Sequence, residues 1–231
     1  MPYNLMTKYA LPVGFLVAML STLSAPTLAT DSAANNTKED AQKNSEWNVL
    51  KPPYALNTAS IKSDEVTWSS LDVTPNGKQF VFDALGDIFI SDISGGEAKA
   101  LTQDFAWNIQ PSISPNGKQV AFISDRGGLS NIWLMDIDGS NLRQVSNEAK
   151  HLVHSAKWSP DGQYLVASKG IMSRRSIPAG EIWLYHVAGG EGIKIKERNN
   201  GKSEQKNITD PIFSPDGKYL YFTQDMTPGG T

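Results

Sequence analysis

The sequence predicts an all-β fold made of propeller blades, and two observations carry the prediction. The first is a turn that recurs four times: Thr74-Pro75-Asn76-Gly77, Ser114-Pro115-Asn116-Gly117, Ser159-Pro160-Asp161-Gly162 and Ser214-Pro215-Asp216-Gly217, each followed by an apolar run. Proline presets φ at the first central position, Asn or Asp tolerates the second, and glycine takes the positive φ that follows. The second is the period. Successive turn prolines stand 40, 45 and 55 residues apart, and a repeat of about 40–45 residues with four short strands marks a propeller blade.

The blades follow in order. The first runs over about 66–102, with an inner strand from Thr67 to Val73, a second from Gln79 to Asp83, a third from Asp87 to Asp92, and a fourth from Ala98 to Thr102 after the Ser94-Gly95-Gly96-Glu97 turn. The second, about 106–146, repeats this closely, with Asn131 to Asp136 aligned on Asp87 to Asp92. The third, about 152–195, has Glu181 to His186 as its third strand and an insertion, Lys169 to Gly180, before it. The fourth, about 210–231, reaches its second strand, Tyr219 to Gln224. Three four-stranded blades and the start of a fourth make an incomplete propeller. Propellers close on themselves to hide their edges, so a partner protein or a further C-terminal domain is expected to complete the ring.

Ahead of the blades, Lys8, the apolar run Ala10 to Leu20 and the small residues Ser24 to Ala29 read as a cleavable signal peptide over 1–29. The run is shorter than the ~20 residues a membrane span needs, so no stable span is expected after cleavage, and a periplasmic location follows. Residues 30–59 read as a polar linker and lead-in. The partial propeller takes up 60–231. The 231 residues carry a net charge of −3 and no cysteine. Acidic balance argues against a nucleic-acid partner, and the missing cysteines exclude disulfides, thiolate metal sites and cysteine nucleophiles.

The four turns, together with Ile132-Trp133-Leu134-Met135-Asp136-Ile137-Asp138-Gly139-Ser140, resemble the TolB-like family of propeller repeats, over about residues 60–225. Trp68 to Val73, Phe82 to Ile88, Gly95 to Thr102 and Gly180 to His186 further resemble the N-terminal propeller of exported bacterial amidohydrolases. That resemblance implies a metal-dependent catalytic barrel C-terminal to the propeller, with a His-x-His pair. No His-x-His occurs among His151, His154 and His186, so no catalytic residue carries over.

Chemistry within the chain reads as sparse. His151 and His154 lie three apart but in a connection between blades, with only Glu148 nearby, which is a poor zinc set. Asp136-x-Asp138-Gly139-x-Asn141 lacks the terminal glutamate and flanking helices of an EF-hand and reads as a hairpin turn. Ser124 to Gly128 is Gly-rich but has no helix behind it to hold phosphate. Trp107, Trp133, Trp158 and Trp183 fall at repeat-related places and read as packing residues. No catalytic residue, cofactor or metal is assigned.

A site is expected from the alternation of a four-stranded meander. The Pro-Asp-Gly and Gly-Gly turns share one face. Longer connections (Ala84 to Gly86, Asp125 to Ser130, Lys169 to Gly180, Gln103 to Asn108 and Asn147 to His154) emerge on the other, and variable loops on a rigid scaffold carry recognition. Trp107, Arg126, His151, Arg174 and Arg175 are the binding-face candidates. The expected function is a non-catalytic periplasmic module for protein or ligand binding, as the N-terminal part of an amidohydrolase-like protein. The alternatives are part of an active metal-dependent amidohydrolase whose barrel lies beyond Thr231, or a TolB-type component of a cell-envelope complex.

Overall fold

A computed structural model describes residues 48–53, 61, 63–171, 179–197 and 208–224. The expected signal peptide over 1–29, most of the expected linker, and Arg174 and Arg175 lie outside them. Among the described residues every regular element is a strand, and no helix is long and apolar enough to cross a membrane.

Three antiparallel four-stranded sheets and one two-stranded sheet follow in chain order. The first is β1 (Leu71–Val73), β2 (Gln79–Ala84), β3 (Asp87–Asp92) and β4 (Lys99–Ala100). The second is β5 (Asn108–Ile113), β6 (Gln119–Ser124), β7 (Asn131–Asp136) and β8 (Arg143–Gln144). The third is β9 (Leu152–Trp158), β10 (Tyr164–Ile171), β11 (Ala179–His186) and β12 (Ile193–Lys196), and the last is β13 (Ile208–Phe213) with β14 (Leu220–Gln224). First strands of neighbouring blades touch one another, whereas the fourth strands meet no strand except the third of their own blades. The first strands are therefore the inner rim of an incomplete propeller.

The recurrent turn is built the same way each time. Thr74 Oγ1 donates to Asn76 Oδ1 (2.8 Å) and accepts the Gln79 N–H (3.0 Å). Ser114, Ser159 and Ser214 do the same with Asn116, Asp161 and Asp216. Neighbouring turns then nest. A Cβ on Gly117 would stand 3.3 Å from Pro75 Cδ, and one on Gly162 or Gly217 would stand at an ordinary contact distance of 3.7 Å from the proline of the preceding turn. The glycine thus serves its own positive φ and the seating of the blade before it.

Burial lies between blades. Val81, Ile88 and Ile90 meet Ile113, Val120, Phe122 and Met135 across the first interface. Ala121, Ile123, Ile132 and Leu134 meet Val153, Trp158, Leu165 and Tyr185 across the second, and Val166 and Ile182 meet Ile208 across the third. Each fully buried large side chain contributes ~1.5–3 kcal/mol, so a blade is held mainly by its neighbours. The terminal faces stay open: Leu71 and Val73 on the first blade, and Ile212, Tyr219 and Tyr221 on the fourth, are exposed.

Three expectations are corrected. The inner strand of the first blade begins at Leu71, not Thr67. The preceding backbone is diverted, with Trp68 at φ 60° and the Ser70 N–H given to Asp83 Oδ1 at 2.8 Å. Ala84 to Gly86 is no long loop: Ala84 pairs with Asp87, leaving the two-residue turn Leu85-Gly86 with φ of 54° and 88°, the signature of a tight hairpin turn. Lys169 and Gly180 are not loop residues either. They pair with Glu181 and Gly170 as β10 and β11 lengthen beyond their counterparts.

Candidate functional site

Each of the three inner strands β5, β9 and β13 carries a bulge at the same repeat position. Gln110-Pro111 stand opposite Phe122, Ser155-Ala156 opposite Ala167, and Asp210-Pro211 opposite Phe222, two residues against one. Gln110, Ser155 and Asp210 have φ of 56°, 54° and 53°. These are left-handed, non-glycine conformations costing ~1–2 kcal/mol each. They persist because side chains and backbone lock them. The Gln110 N–H donates to Asp83 Oδ2 (2.6 Å), the Ser155 N–H to Gln110 Oε1 (2.7 Å), and Ser155 Oγ to Asp210 Oδ1 (2.8 Å). A polar belt thus runs from blade to blade along the inner rim.

The bulges open a cavity of about 330 Å³, lined by Ser70, Gln110, Ser155, Lys157, Asp210 and Ile212 among others. Asp210 is firmly ionised. Partial burial pushes its pKa up, but the hydroxyls of Thr209, Ser155 and Thr223 outweigh this and hold it below the usual carboxylate value. His154, one residue before the bulge, has its pKa lowered by burial, against the pull of Asp210.

Among the predicted residues, Trp107 bridges the first two blades. Its backbone N–H donates to Asp125 Oδ1 at 2.8 Å, and its exposed indole lies so close over Gly86 that a Cβ there would stand 2.8 Å from the ring. Arg126 is committed internally. Its guanidinium sits 3.1 Å from Asp104, donates to Asn108 Oδ1 (2.8 Å) and Ser124 Oγ (3.1 Å), and lies 5.1 Å from the Trp133 ring centroid. With a side chain only 5% exposed, it has no free face to offer a ligand. His151 stands 3.6 Å from Glu148, partly exposed. Trp107 and Arg126 thus lie side by side through Asp125 and Asn108, while His151 pairs with Glu148 of the following linker.

The third blade repeats the Arg126 arrangement with Lys169. Its ammonium lies 2.7 Å from Glu148 and 3.7 Å from the Trp183 ring centroid, and Tyr185 donates to the same Glu148 oxygen at 3.1 Å. Burial, with Glu148 adding to it, pushes the Tyr185 pKa far up. In both blades the linker before the blade supplies the acid, the end of the second strand the cation, and the third strand the tryptophan. Among the described residues no three His, Asp or Glu side chains converge as a metal set.

Sequence reasoning missed the inner cavity. One signal pointed to it: Pro111 and Pro211 fall inside inner strands, and proline within a strand marks an edge or a bulge. Ser155-Ala156 carries no such mark.

The comparisons agree with this geometry. A signature of the TolB beta propeller domain matches residues 59–182, more than half of the chain, and the chain belongs to that family. It is 27% identical over 157 residues to a Sulfurisphaera tokodaii protein named as a Tricorn-like protease C-terminal subunit, covering 68% of this chain and 17% of that protein. It is 27% identical over 167 residues to an uncharacterized peptidase of Bacillus subtilis, covering 61% and 25%. A solved structure named as TolB from Agrobacterium tumefaciens superposes with a TM-score of 0.53 at 23% identity, over 67% of this chain and 52% of that one. The chain thus spans no more than about a quarter of these two sequence relatives. Neither bears an amidohydrolase name.

Proposed function

We infer that the chain is a recognition module without chemistry of its own, and that it binds through the inner-rim cavity. The observation that carries this is the threefold recurrence of a strained, non-glycine bulge around one cavity. Strain held in place by its surroundings clusters at binding and switch sites, and here it sets Gln110, Ser155 and Asp210 toward a common space. The module serves an adjoining hydrolase. The protease and peptidase names of the sequence relatives favour a peptidase-type partner over the amidohydrolase-type one that sequence motifs suggest. Lys8, the apolar run from Ala10 to Leu20 and the small residues up to Ala29 support export to the periplasm.

The test is turnover. The purified full-length chain is incubated with blocked peptides, an aryl ester and an aryl amide, with and without added zinc, and products are read by mass spectrometry. No turnover above buffer is expected. Zinc-dependent or metal-free hydrolysis that survives repurification would overturn the reading.

A further inference from the structure

We propose that the inner-rim cavity binds a carboxylate, received by the Lys157 ammonium, the Gln110 side-chain amide and the Ser70 hydroxyl. The proposal rests on the reading of this cavity as the recognition site and adds the class of ligand.

The argument is a count of satisfied and unsatisfied groups in the cavity wall. Asp210 is the acidic group there, and most of its acceptor sites are used: Oδ1 accepts from Ser155 Oγ at 2.8 Å, and Oδ2 accepts from Thr209 Oγ1 at 2.8 Å and Thr223 Oγ1 at 3.2 Å. The Gln110 amide is oriented by its neighbour. The Ser155 backbone N–H can only donate, so the atom it meets at 2.7 Å is Oε1. The amide nitrogen therefore carries its two N–H groups on the other side. Among the described residues neither Gln110 Nε2 nor Ser70 Oγ has a protein partner, and Lys157 forms no ion pair and no side-chain hydrogen bond. Lys157 is half-buried on β9, so its stem is held while its charge is not neutralised.

Three unpartnered donors, one of them cationic, share the cavity lining with an acid whose acceptor sites are mostly used. Such a site takes an anion whose oxygens accept from several donors, because charge-assisted bonds to a carboxylate are the strong ones. The fixed negative charge of Asp210 in the same wall disfavours a doubly charged group such as a phosphate monoester and favours a single negative charge. A cation, by contrast, would meet the Lys157 charge and find one free lone pair on Asp210 Oδ1. The ligand is a free small acid or the C-terminal carboxylate of a peptide, which share this chemistry.

The experiment is calorimetric titration of the full-length chain with three probes: propionate, N-acetyl-trialanine and its C-terminal amide. The peptide acid is expected to bind at least tenfold more tightly than the amide. Lys157→Met, which keeps the aliphatic stem, is expected to lose at least tenfold, and Lys157→Arg to retain binding. Thermal unfolding of both variants checks that they fold. Binding of propionate but not of the peptide acid also supports the carboxylate assignment and selects a free acid as its source. Equal binding of acid and amide, or binding that Lys157→Met leaves unchanged, would overturn the carboxylate assignment while leaving the cavity as a recognition site. Absence of heat with all three probes at 10 mM, about an order of magnitude above millimolar affinity, would overturn the assignment as well. Product formation during the titration would instead count against the non-catalytic reading.

Discussion

Glu148 and Lys169 form an ion pair that the protein interior makes expensive to break. The side chains are 11% and 10% exposed and the charged atoms are 2.7 Å apart. Removing one partner of a buried pair costs ~3–5 kcal/mol, because the other charge is left uncompensated. Here the loss is smaller. In Lys169→Met, Glu148 keeps the Tyr185 hydroxyl at 3.1 Å and His151 at 3.6 Å, and the methionine stem still covers Trp183. About 2–4 kcal/mol is expected. In Glu148→Gln the Lys169 ammonium stays over the Trp183 ring at 3.7 Å, a contact worth up to about 2 kcal/mol when desolvated, so the loss falls at the low end of that range. The double variant has no orphaned charge. It is expected to be no less stable than either single variant, giving a coupling energy of at least about 2 kcal/mol. Urea unfolding of the wild type, both single variants and the double variant measures the cycle. A coupling below about 0.5 kcal/mol, the value of an exposed pair, would refute the claim that this pair is buried and structural.

Further outcomes follow from the inter-blade contacts and the titrating groups. Gly139 and Gly95 both have positive φ, 93° and 89°, but a Cβ on Gly139 would stand 2.9 Å from the Leu101 carbonyl oxygen of the preceding blade, whereas nothing lies within 4 Å at Gly95. Gly95→Ala is expected to cost about 1 kcal/mol from backbone strain alone, and Gly139→Ala at least twice that, read as the difference in urea midpoints; equal losses would deny the blade contact. Phe122→Ala, at a fully buried site between the first two blades, is expected to cost ~3–5 kcal/mol in the same assay. For pH, the folded-state pKa of His154 lies below its ordinary value of 6.5, so the unfolded chain binds the proton more readily. Stability is complete above 6.5 and is lost as the pH falls from there through the folded pKa. The low folded-state pKa values of Asp161, Asp210 and Asp216 add a second loss below the ordinary carboxylate value of 3.8. His154→Gln is expected to flatten the first step and leave the second in place, as followed by unfolding midpoints between pH 8 and 3.

What the sequence revealed and what it hid have physical reasons. The four turns were legible because each uses the same residue types for the same backbone task, and the second and third strands because each is a short run of apolar, β-prone residues. The clasps were hidden because their partners are distant in the chain: Arg126 meets Asp104, and Lys169 meets Glu148, through contacts that no local pattern encodes. Arg126 therefore reads as a loop charge when it is an internal brace, and Lys169 reads as part of an insertion when it extends a strand. The cavity was hidden because its three strained positions are Gln, Ser and Asp, residue types with no shared signature, held left-handed by tertiary hydrogen bonds and not by local propensity.

The central claim is that recognition belongs to the inner rim and not to the loop face. Hydrogen–deuterium exchange of the full-length chain, with and without saturating N-acetyl-trialanine, tests it most directly. The account predicts slowed exchange on β5, β9 and β13 around Gln110, Ser155 and Asp210, with the connections holding Trp107, Arg126 and His151 unchanged. Protection confined to those connections, with the three inner strands unaffected, would contradict it.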